Sequence, residues 1–246
     1  MKHFLIALQF LTILPVKINE EIKEEDLANS LLYFPLIGVI IGGILSTILL
    51  SHKFLSMPVL SAIILLVSTI ISGGLHLDGF ADTCDGFCGA RSKEKILKIM
   101  HDSRIGAFGA IGVVLLLLLK FSLFVSLPIN TLWKALIVSF CFARYSQTVC
   151  CLLPYASCEG KAKAFVKYAR KRNIIIGGIF TLIVFGILLG LKGITIFFVS
   201  FILNLIFIFY VKSRISGITG DTIGAVNEIA EVSTLFLIHL LSEKWS

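Results

Sequence analysis

Residues 31–50 read LLYFPLIGVIIGGILSTILL, twenty consecutive residues without a charged side chain. An α-helix needs about 20 apolar residues to cross the hydrocarbon core of a bilayer, so this stretch predicts a transmembrane helix. Six further apolar windows predict additional spans: 57–76, 106–127, 131–153, 174–191, 194–211 and 222–241. The sequence therefore predicts an all-α, polytopic helical membrane protein with about seven transmembrane helices.

The composition of the whole chain favours the same fold class. Hydrophobic residues make up 57% of the 246 residues, charged residues make up 15%, and the mean hydropathy is +0.97. A soluble domain of this composition would expose more apolar surface than one core can bury, which excludes an ordinary soluble enzyme or a disulfide-stapled secreted domain. Residues 1–246 are interpreted as one membrane domain, whose first 16 residues form an interfacial or re-entrant segment.

Cations are distributed unevenly between the two sides of the predicted bundle. Sixteen of the 22 Lys and Arg residues fall in the N-terminal segment and in the loops after the second, fourth and sixth spans, whereas four fall on the other side. Positive loops stay in the cytoplasm, so the basic side and the amino terminus are predicted to face the cytoplasm from the inner membrane. Contact with lipid headgroups explains the net charge of +7 without nucleic acid as a partner.

An acidic cluster lies at the cytoplasmic end of the second span, in residues 73–91, GGLHLDGFADTCDGFCGAR. The spacing of Asp78, Asp82 and Asp85 places their carboxylates within about 60° on one helix face. Carboxylates crowded near a membrane repel each other, and their oxygens suit a hard cation such as Mg²⁺ or Mn²⁺. The alternative is a solvated acidic loop that falls in helical register without binding a cation.

A second polar motif, HDSRIG at residues 101–106, opens the third span. Asp102 could supply a fourth carboxylate, and Arg104 could supply a fixed cation for a phosphate. Asp102 or Ser103 could instead cap the first amides of the third span. Both interpretations are open at the level of the sequence.

A third motif, GITGDTIGAVNEIAE at residues 217–231, enters the last span from the same side. Ionisable residues entering a span are functional candidates, here Asp221 and Glu228, with Asn227 beside them. Helix capping by Asp221 and a polar seam between packed helices are the alternative. Arg144 lies inside the fourth span, where it either neutralises a carboxylate or binds a substrate phosphate.

Acidic clusters combined with cations on one membrane face are typical of metal-assisted phosphoryl transfer. A carboxylate-bound metal stabilises developing charge, cations hold phosphate oxygens, and a neighbouring aspartate can take a proton from an attacking hydroxyl. An ion- or proton-coupled carrier is an alternative from another class, but it predicts acidic residues near the bilayer midplane rather than at one end.

Four motifs resemble the cobalamin synthase family, the adenosylcobinamide-GDP ribazoletransferases: ALQFLTILPV, GGLHLDGFADTCDGFCGAR, HDSRIGAFGAIG and GITGDTIGAVNE. They lie in the family's order between residues 7 and 228. The resemblance implies a Mg²⁺-dependent membrane enzyme that joins adenosylcobinamide-GDP to α-ribazole or its 5′-phosphate. A homo-oligomer is compatible with the sequence.

The resemblance also implies roles for individual residues. The implied metal ligands are Asp78, Asp82, Asp85 and Asp102. The implied catalytic residues are Asp82, Asp85, Asp102 and Asp221, and the implied substrate-binding residues are His76, Arg91, Arg104, Arg144, Asn227 and Glu228.

A more distant resemblance is to the CDP-alcohol phosphotransferases of phospholipid synthesis, whose pattern is DxxDGxxAR followed by GxxxDxxxD. Asp82-Thr-Cys-Asp85-Gly86 matches the opening of that pattern. Arg91 then comes one residue late, and Gly106 stands where the last aspartate should be. This departure argues against a lipid synthase, which stays an alternative, and it leaves the general base open between Asp102 and Asp221.

Overall fold

The structure is a computed structural model that describes residues 1–157, 160 and 162–242. Helices account for most of these residues, and the one extended pairing among them is a parallel bridge between Tyr155 and Ile218. The helices, in chain order, are α1 (Lys2–Leu11), α2 (Glu24–Ser30), α3 (Phe34–Ile48), α4 (Met57–Ile71), α5 (Leu75–Gly89), α6 (Lys93–Met100), α7 (Ala107–Ser126), α8 (Ile129–Cys150), α9 (Lys163–Lys167), α10 (Lys171–Ile215) and α11 (Gly220–Ser242).

Helix α8 is the centre of the bundle. All of its residues from 138 to 150 are buried, as expected for a helix surrounded by other helices. It packs mainly against α3 and α11. Gly38 and Gly42 of α3 lie directly against the α8 backbone, where a Cβ would overlap Phe140 and Ile137. Small residues four apart allow two helices to approach this closely in a membrane.

The chain turns sharply between α4 and α5. Gly73 and Gly74 have φ values of 61° and 70°, a region that favours glycine, and the two helices meet at 90°. The apolar window 57–76 predicted one continuous span. In the structure this helix is shorter, Met57–Ile71, and the chain changes direction after it. The acidic cluster therefore lies on α5, a separate helix that packs against α11 and α7.

Helix α10 is two helical segments joined at Gly190, whose φ and ψ are 64° and −149°. The rings of Phe185 and Phe197 lie 5.6 Å apart, although twelve residues of straight helix would separate them by about 18 Å. The chain therefore folds back at Gly190. This reversal agrees with the two predicted windows 174–191 and 194–211, and Phe142 of α8 contacts both segments.

The prediction of a polytopic helical membrane protein is confirmed. Within the described residues four helical stretches are long and apolar enough to cross a membrane, or five if α4 and α5 form one bent span. Each of the seven predicted windows overlaps a helix, but seven crossings stay a prediction. Helix α1 has ten residues, about 15 Å, which is too short to span. Two of the counted cations, Lys161 and Lys244, lie outside the described residues.

Candidate active site

A cavity of about 480 Å³ opens where the start of α3, the end of α8 and the start of α11 meet. Residues 100–103, before α7, line it as well, so the cavity adjoins the N-terminal segment and the three loops that carry 16 of the 22 Lys and Arg residues. The segment after α8 is fixed to the start of α11 by hydrogen bonds from Ala156 N–H to Ile218 O at 2.8 Å and from Ile218 N–H to Pro154 O at 2.9 Å. The cavity is therefore bounded by backbone that the fold holds in place.

Close packing of α5 on α11 brings two sequence motifs to one wall of this cavity. Gly79 lies against the backbone of Asp221, where a Cβ would overlap it, and Gly224 lies against the backbone of His76. Asp78 and Asp82 of α5 consequently line the same cavity as Asp221. The three carboxylates are close enough to interact electrostatically.

The cavity is anionic. Four aspartates line it, and its described lining residues include no Lys or Arg: the aspartates are Asp78, Asp82, Asp102 and Asp221. Asp102 lies at the exposed rim and accepts hydrogen bonds from Arg104 Nε at 3.0 Å and Nη2 at 2.8 Å. These bonds lower the pKa of Asp102 to about 2, so this carboxylate is a weak proton acceptor.

Asp85 has a different position from the other predicted metal ligands. Its carboxylate is buried and accepts the backbone N–H of Gly106 at 2.7 Å and of Gly109 at 2.8 Å. It therefore caps the N-terminus of α7 from a neighbouring helix and does not line the cavity. The cap of the third span is thus Asp85 rather than Asp102 or Ser103, because Asp85 lies about one turn beyond Asp82, above the start of α7.

Four charged side chains form a buried cluster between α7, α8 and α11. Lys120 Nζ binds Glu228 Oε2 at 2.6 Å and Glu231 Oε1 at 2.7 Å, and Arg144 Nη1 lies 3.7 Å from Glu231 Oε2. The formal charges cancel. Arg144 and Glu228, predicted as substrate ligands, do not line the cavity. Both are buried inside the helix bundle and paired with opposite charges. Neutralisation of a carboxylate was the alternative interpretation of Arg144.

A chain of amide hydrogen bonds connects this buried cluster to the cavity wall. Arg144 Nη1 donates to Asn227 Oδ1 at 3.0 Å, and Asn227 Nδ2 donates to Glu228 Oε1 at 3.2 Å. These two partners determine which atom of the Asn227 amide is the oxygen and which is the nitrogen. Gln147 Nε2 donates to the same Asn227 Oδ1 at 2.7 Å and lies 2.9 Å from His76 Nε2. Asn227, predicted to bind substrate, is thus a buried link and does not line the cavity.

The direction of these bonds decides the tautomer of His76. Arginine can only donate, so Gln147 must present its amide nitrogen to Asn227 and its second hydrogen to His76. His76 Nε2 is then an acceptor, and the imidazole proton is on Nδ1. His76 itself lines the cavity beside the aspartates. It is therefore a neutral hydrogen-bond donor at the cavity wall.

The remaining predicted substrate ligands, Arg91 and Arg104, are exposed and do not line the cavity. Arg91 follows the end of α5, while Arg104 pairs with Asp102 at the rim. Arg214, which the sequence did not single out, caps the C-terminus of α5 by donating to the carbonyls of Phe87 at 2.9 Å and Ala90 at 2.8 Å.

Sequence reasoning missed several residues of the cavity and of the buried charge cluster next to it. Lys120 was the detectable one, since a lone cation in an otherwise apolar 20-residue helix requires an anionic partner. Gln147 and the cavity-lining rings Phe10, Phe34 and Phe165 gave no signal, because a glutamine or a phenylalanine in an apolar helix is ordinary.

The donor set fits a magnesium ion that keeps part of its hydration shell. Within the described residues, no three His, Cys, Asp or Glu side chains converge tightly enough to hold a metal ion by themselves. Mg²⁺ commonly binds through one or two carboxylates together with waters and substrate phosphates. Asp78, Asp82 and Asp221 provide carboxylates of this kind on one cavity wall.

Comparison with known proteins identifies the family. The family model for cobalamin-5-phosphate synthase matches residues 3–239. The chain belongs to the cobalamin-5-phosphate synthase family. It is 37% identical to the adenosylcobinamide-GDP ribazoletransferase of Clostridium novyi (strain NT), covering 99% of this chain and 98% of the relative. Identity to the enzymes of that name from Acetivibrio thermocellus and Geotalea daltonii is 35% and 33%, over 98% and 97% of this chain and of each relative. No solved structure matches the chain.

Membership of this family confirms the resemblance predicted from the four motifs and the prediction that the chain is a transferase. It favours the cobalamin synthase interpretation over both the lipid synthase and the carrier. The cavity lined by α5 and α11 is therefore the candidate active site of this chain.

Proposed function

We propose that the chain is an adenosylcobinamide-GDP ribazoletransferase. A ribose hydroxyl of α-ribazole, or of its 5′-phosphate, attacks the cobinamide-bearing phosphorus of the diphosphate. A new phosphodiester bond forms, the phosphoanhydride bond breaks, and GMP leaves. The products are adenosylcobalamin, or its 5′-phosphate, and GMP, and the hydroxyl proton passes to a carboxylate of the cavity.

The observation that carries this proposal is the charge of the cavity. Asp78, Asp82 and Asp221 line a space that must receive an anionic diphosphate, and its described lining residues include no Lys or Arg; the fourth aspartate, Asp102, is paired with Arg104. A diphosphate would be repelled by these carboxylates unless a cation lies between them. Asp78 and Asp82, one turn apart on α5, would hold Mg²⁺, with Mn²⁺ as a substitute. When bound, the metal neutralises charge that develops on the phosphoryl oxygens.

Asp221 is the proposed proton acceptor. It faces the α5 carboxylates from α11 and is held by Thr219 Oγ1, which donates to its Oδ2 at 3.4 Å. Asp102, the other candidate, accepts two hydrogen bonds from the Arg104 guanidinium, which lower its pKa to about 2. His76, with its proton on Nδ1, donates to a phosphate oxygen without adding a charge.

The reaction is proposed to occur at the cytoplasmic face of the inner membrane. The cavity opens among the helix ends on the basic side of the bundle, and positively charged loops stay in the cytoplasm. Both substrates would then reach the cavity from the cytoplasm.

A product assay on detergent-purified protein tests the reaction. We expect adenosylcobinamide-GDP and α-ribazole to give GMP and adenosylcobalamin with Mg²⁺ and neither product with a chelator. Asp82→Asn should lower turnover by at least about 10²-fold, because removing one group that stabilises transition-state charge typically lowers kcat by this factor. Glu94→Gln, on the exposed surface of α6, is the matched control and should keep full activity. Release of CMP from a CDP-lipid instead would establish the alternative lipid synthase.

A further inference from the structure

A second wall of the cavity is aromatic. Phe10 of α1, Phe34 of α3 and Phe165 of α9 line it together with Leu31. The Phe10 ring lies 6.0 Å from Phe34 in a stacked arrangement and 4.7 Å from Phe165 in a tilted one, while Phe34 and Phe165 are 5.8 Å apart. Three helices distant in sequence therefore contribute to one apolar surface facing the same space as the aspartates.

Phe10 is the ring of this wall with area left for a ligand. Phe34 and Phe165 are 2% and 3% exposed, whereas Phe10 is only half-buried. The two buried rings pack against Phe10, with ring centroids 6.0 and 4.7 Å away, and these contacts restrict its orientation before a ligand arrives. A preorganised aromatic surface binds a planar ring at low entropic cost.

We propose that this aromatic wall binds the benzimidazole ring of α-ribazole, an inference that rests on the function proposed above. The ring lies on Phe10, and the ribose extends from it toward the carboxylates of α5 and α11. The wall thereby orients the attacking hydroxyl and selects the base of the nucleoside.

Polarity distinguishes this occupant from the two purine bases of adenosylcobinamide-GDP, adenine and guanine. Adenine carries an amino group and ring nitrogens that require hydrogen-bond partners. Guanine carries a carbonyl, a ring N–H and an amino group that require hydrogen-bond partners, and burying them unpaired is costly. The four side chains of the wall offer no such partner. Dimethylbenzimidazole has an apolar edge with two methyl groups, which matches phenylalanine and leucine. The corrin ring system, with its peripheral amides, is too large for a cavity of about 480 Å³.

Steady-state kinetics with each substrate varied in turn test the proposal. Phe10→Leu should raise KM for α-ribazole about fivefold to tenfold, the size expected for one lost aromatic pair, and leave KM for adenosylcobinamide-GDP unchanged. Phe10→Tyr keeps the ring and should keep KM for α-ribazole within about twofold of the wild type. Phe209→Leu, at a position 56% exposed on the outside of α10, is the control.

Three results would overturn the proposal: a higher KM for adenosylcobinamide-GDP alone, equal effects of Phe10→Leu and Phe10→Tyr, or no effect of either. If the wild type forms no product, the proposed function fails separately, and equilibrium dialysis of α-ribazole against wild type and Phe10→Leu still decides the binding site. Phe10→Met, assayed in the same way, replaces Phe10→Leu if that variant does not elute as a folded protein.

Discussion

At the scale of single residues, Asp82 and Asp85 lie three positions apart on α5 and have different surroundings. Asp82 lines the anionic cavity, whereas Asp85 accepts two backbone N–H groups at the start of α7. Helical spacing correctly placed both on α5, but it could not show which neighbouring helix each one meets. That information depends on tertiary packing, in particular on the position of Gly106 and Gly109 over Asp85.

The two aspartates should therefore respond differently to the same substitution. Asp85→Asn weakens the cap of α7 and should lower the free energy of unfolding by about 1–2 kcal/mol, because a charged acceptor for two amides is lost. Asp82→Asn should abolish turnover and leave the unfolding midpoint near that of the wild type. Thermal unfolding in detergent, with product formation measured on the same samples, separates the two effects. A stable and inactive Asp85→Asn would show that Asp85 belongs to the reacting site.

The tautomer of His76 is a second prediction at this scale. In the wild type, Gln147 donates to His76 Nε2, so the proton is on Nδ1. Gln147→Glu replaces the donor with an acceptor of the same shape, which should move the proton to Nε2. Imidazole ¹⁵N resonances report the protonated nitrogen, and the His76→Asn spectrum assigns the signal. An Nε2-protonated His76 in the wild type would contradict the inferred hydrogen-bond chain.

At the scale of helices, the contact between α5 and α11 at Gly79 assembles the acidic wall. A Cβ at Gly79 would overlap the backbone of Asp221, so Gly79→Ala must push α11 away from α5. Displacing one carboxylate by even about 1 Å can reduce turnover by about 10²-fold, and we expect a loss of that order in kcat. Gly43→Ala is the matched control, because a Cβ there meets open space. Equal turnover of the two variants would show that this contact does not position the site.

The positions of the helices were the part of the fold that the sequence predicted best. Every apolar window overlaps a helix because length and hydropathy are local properties. The break at Gly73 and Gly74 was missed, since the apolar character continues through it and hydropathy does not register a change of backbone direction. The reversal at Gly190 was implied by two windows separated by a short gap.

At the scale of the whole molecule, a neutral cluster of four charged side chains joins three helices in the interior. Lys120→Met removes the cation between Glu228 and Glu231, and we expect a loss of about 3–5 kcal/mol in the free energy of unfolding, because a buried carboxylate is left unpaired. Adding Glu228→Gln leaves Arg144 with Glu231 and should restore much of the stability. Unfolding of the single and double variants in detergent measures this coupling. A double variant less stable than Lys120→Met would contradict it.

Much of the candidate site could be predicted from the side of the membrane on which its motifs lie. Asp78, Asp82, Asp102 and Asp221 come from three motifs that the charge count assigned to one side, and all four line one cavity. Arg144, Asn227 and Glu228 were assigned to the same site, although they lie deeper in their helices and pair with each other or with Lys120. Depth along a helix is visible in the sequence, but the partner that satisfies a buried group is not.

The proposed divalent cation is expected to bind the cavity carboxylates rather than the whole acidic face of α5. Electron paramagnetic resonance of Mn²⁺, added to purified protein with adenosylcobinamide-GDP, measures this directly. We predict bound Mn²⁺ in the wild type and in Asp85→Asn and a loss of at least about tenfold in affinity in Asp82→Asn, the equivalent of about 1.4 kcal/mol. Retention of Mn²⁺ by Asp82→Asn together with its loss in Asp85→Asn would show that the cation binds Asp85 and not the cavity carboxylates.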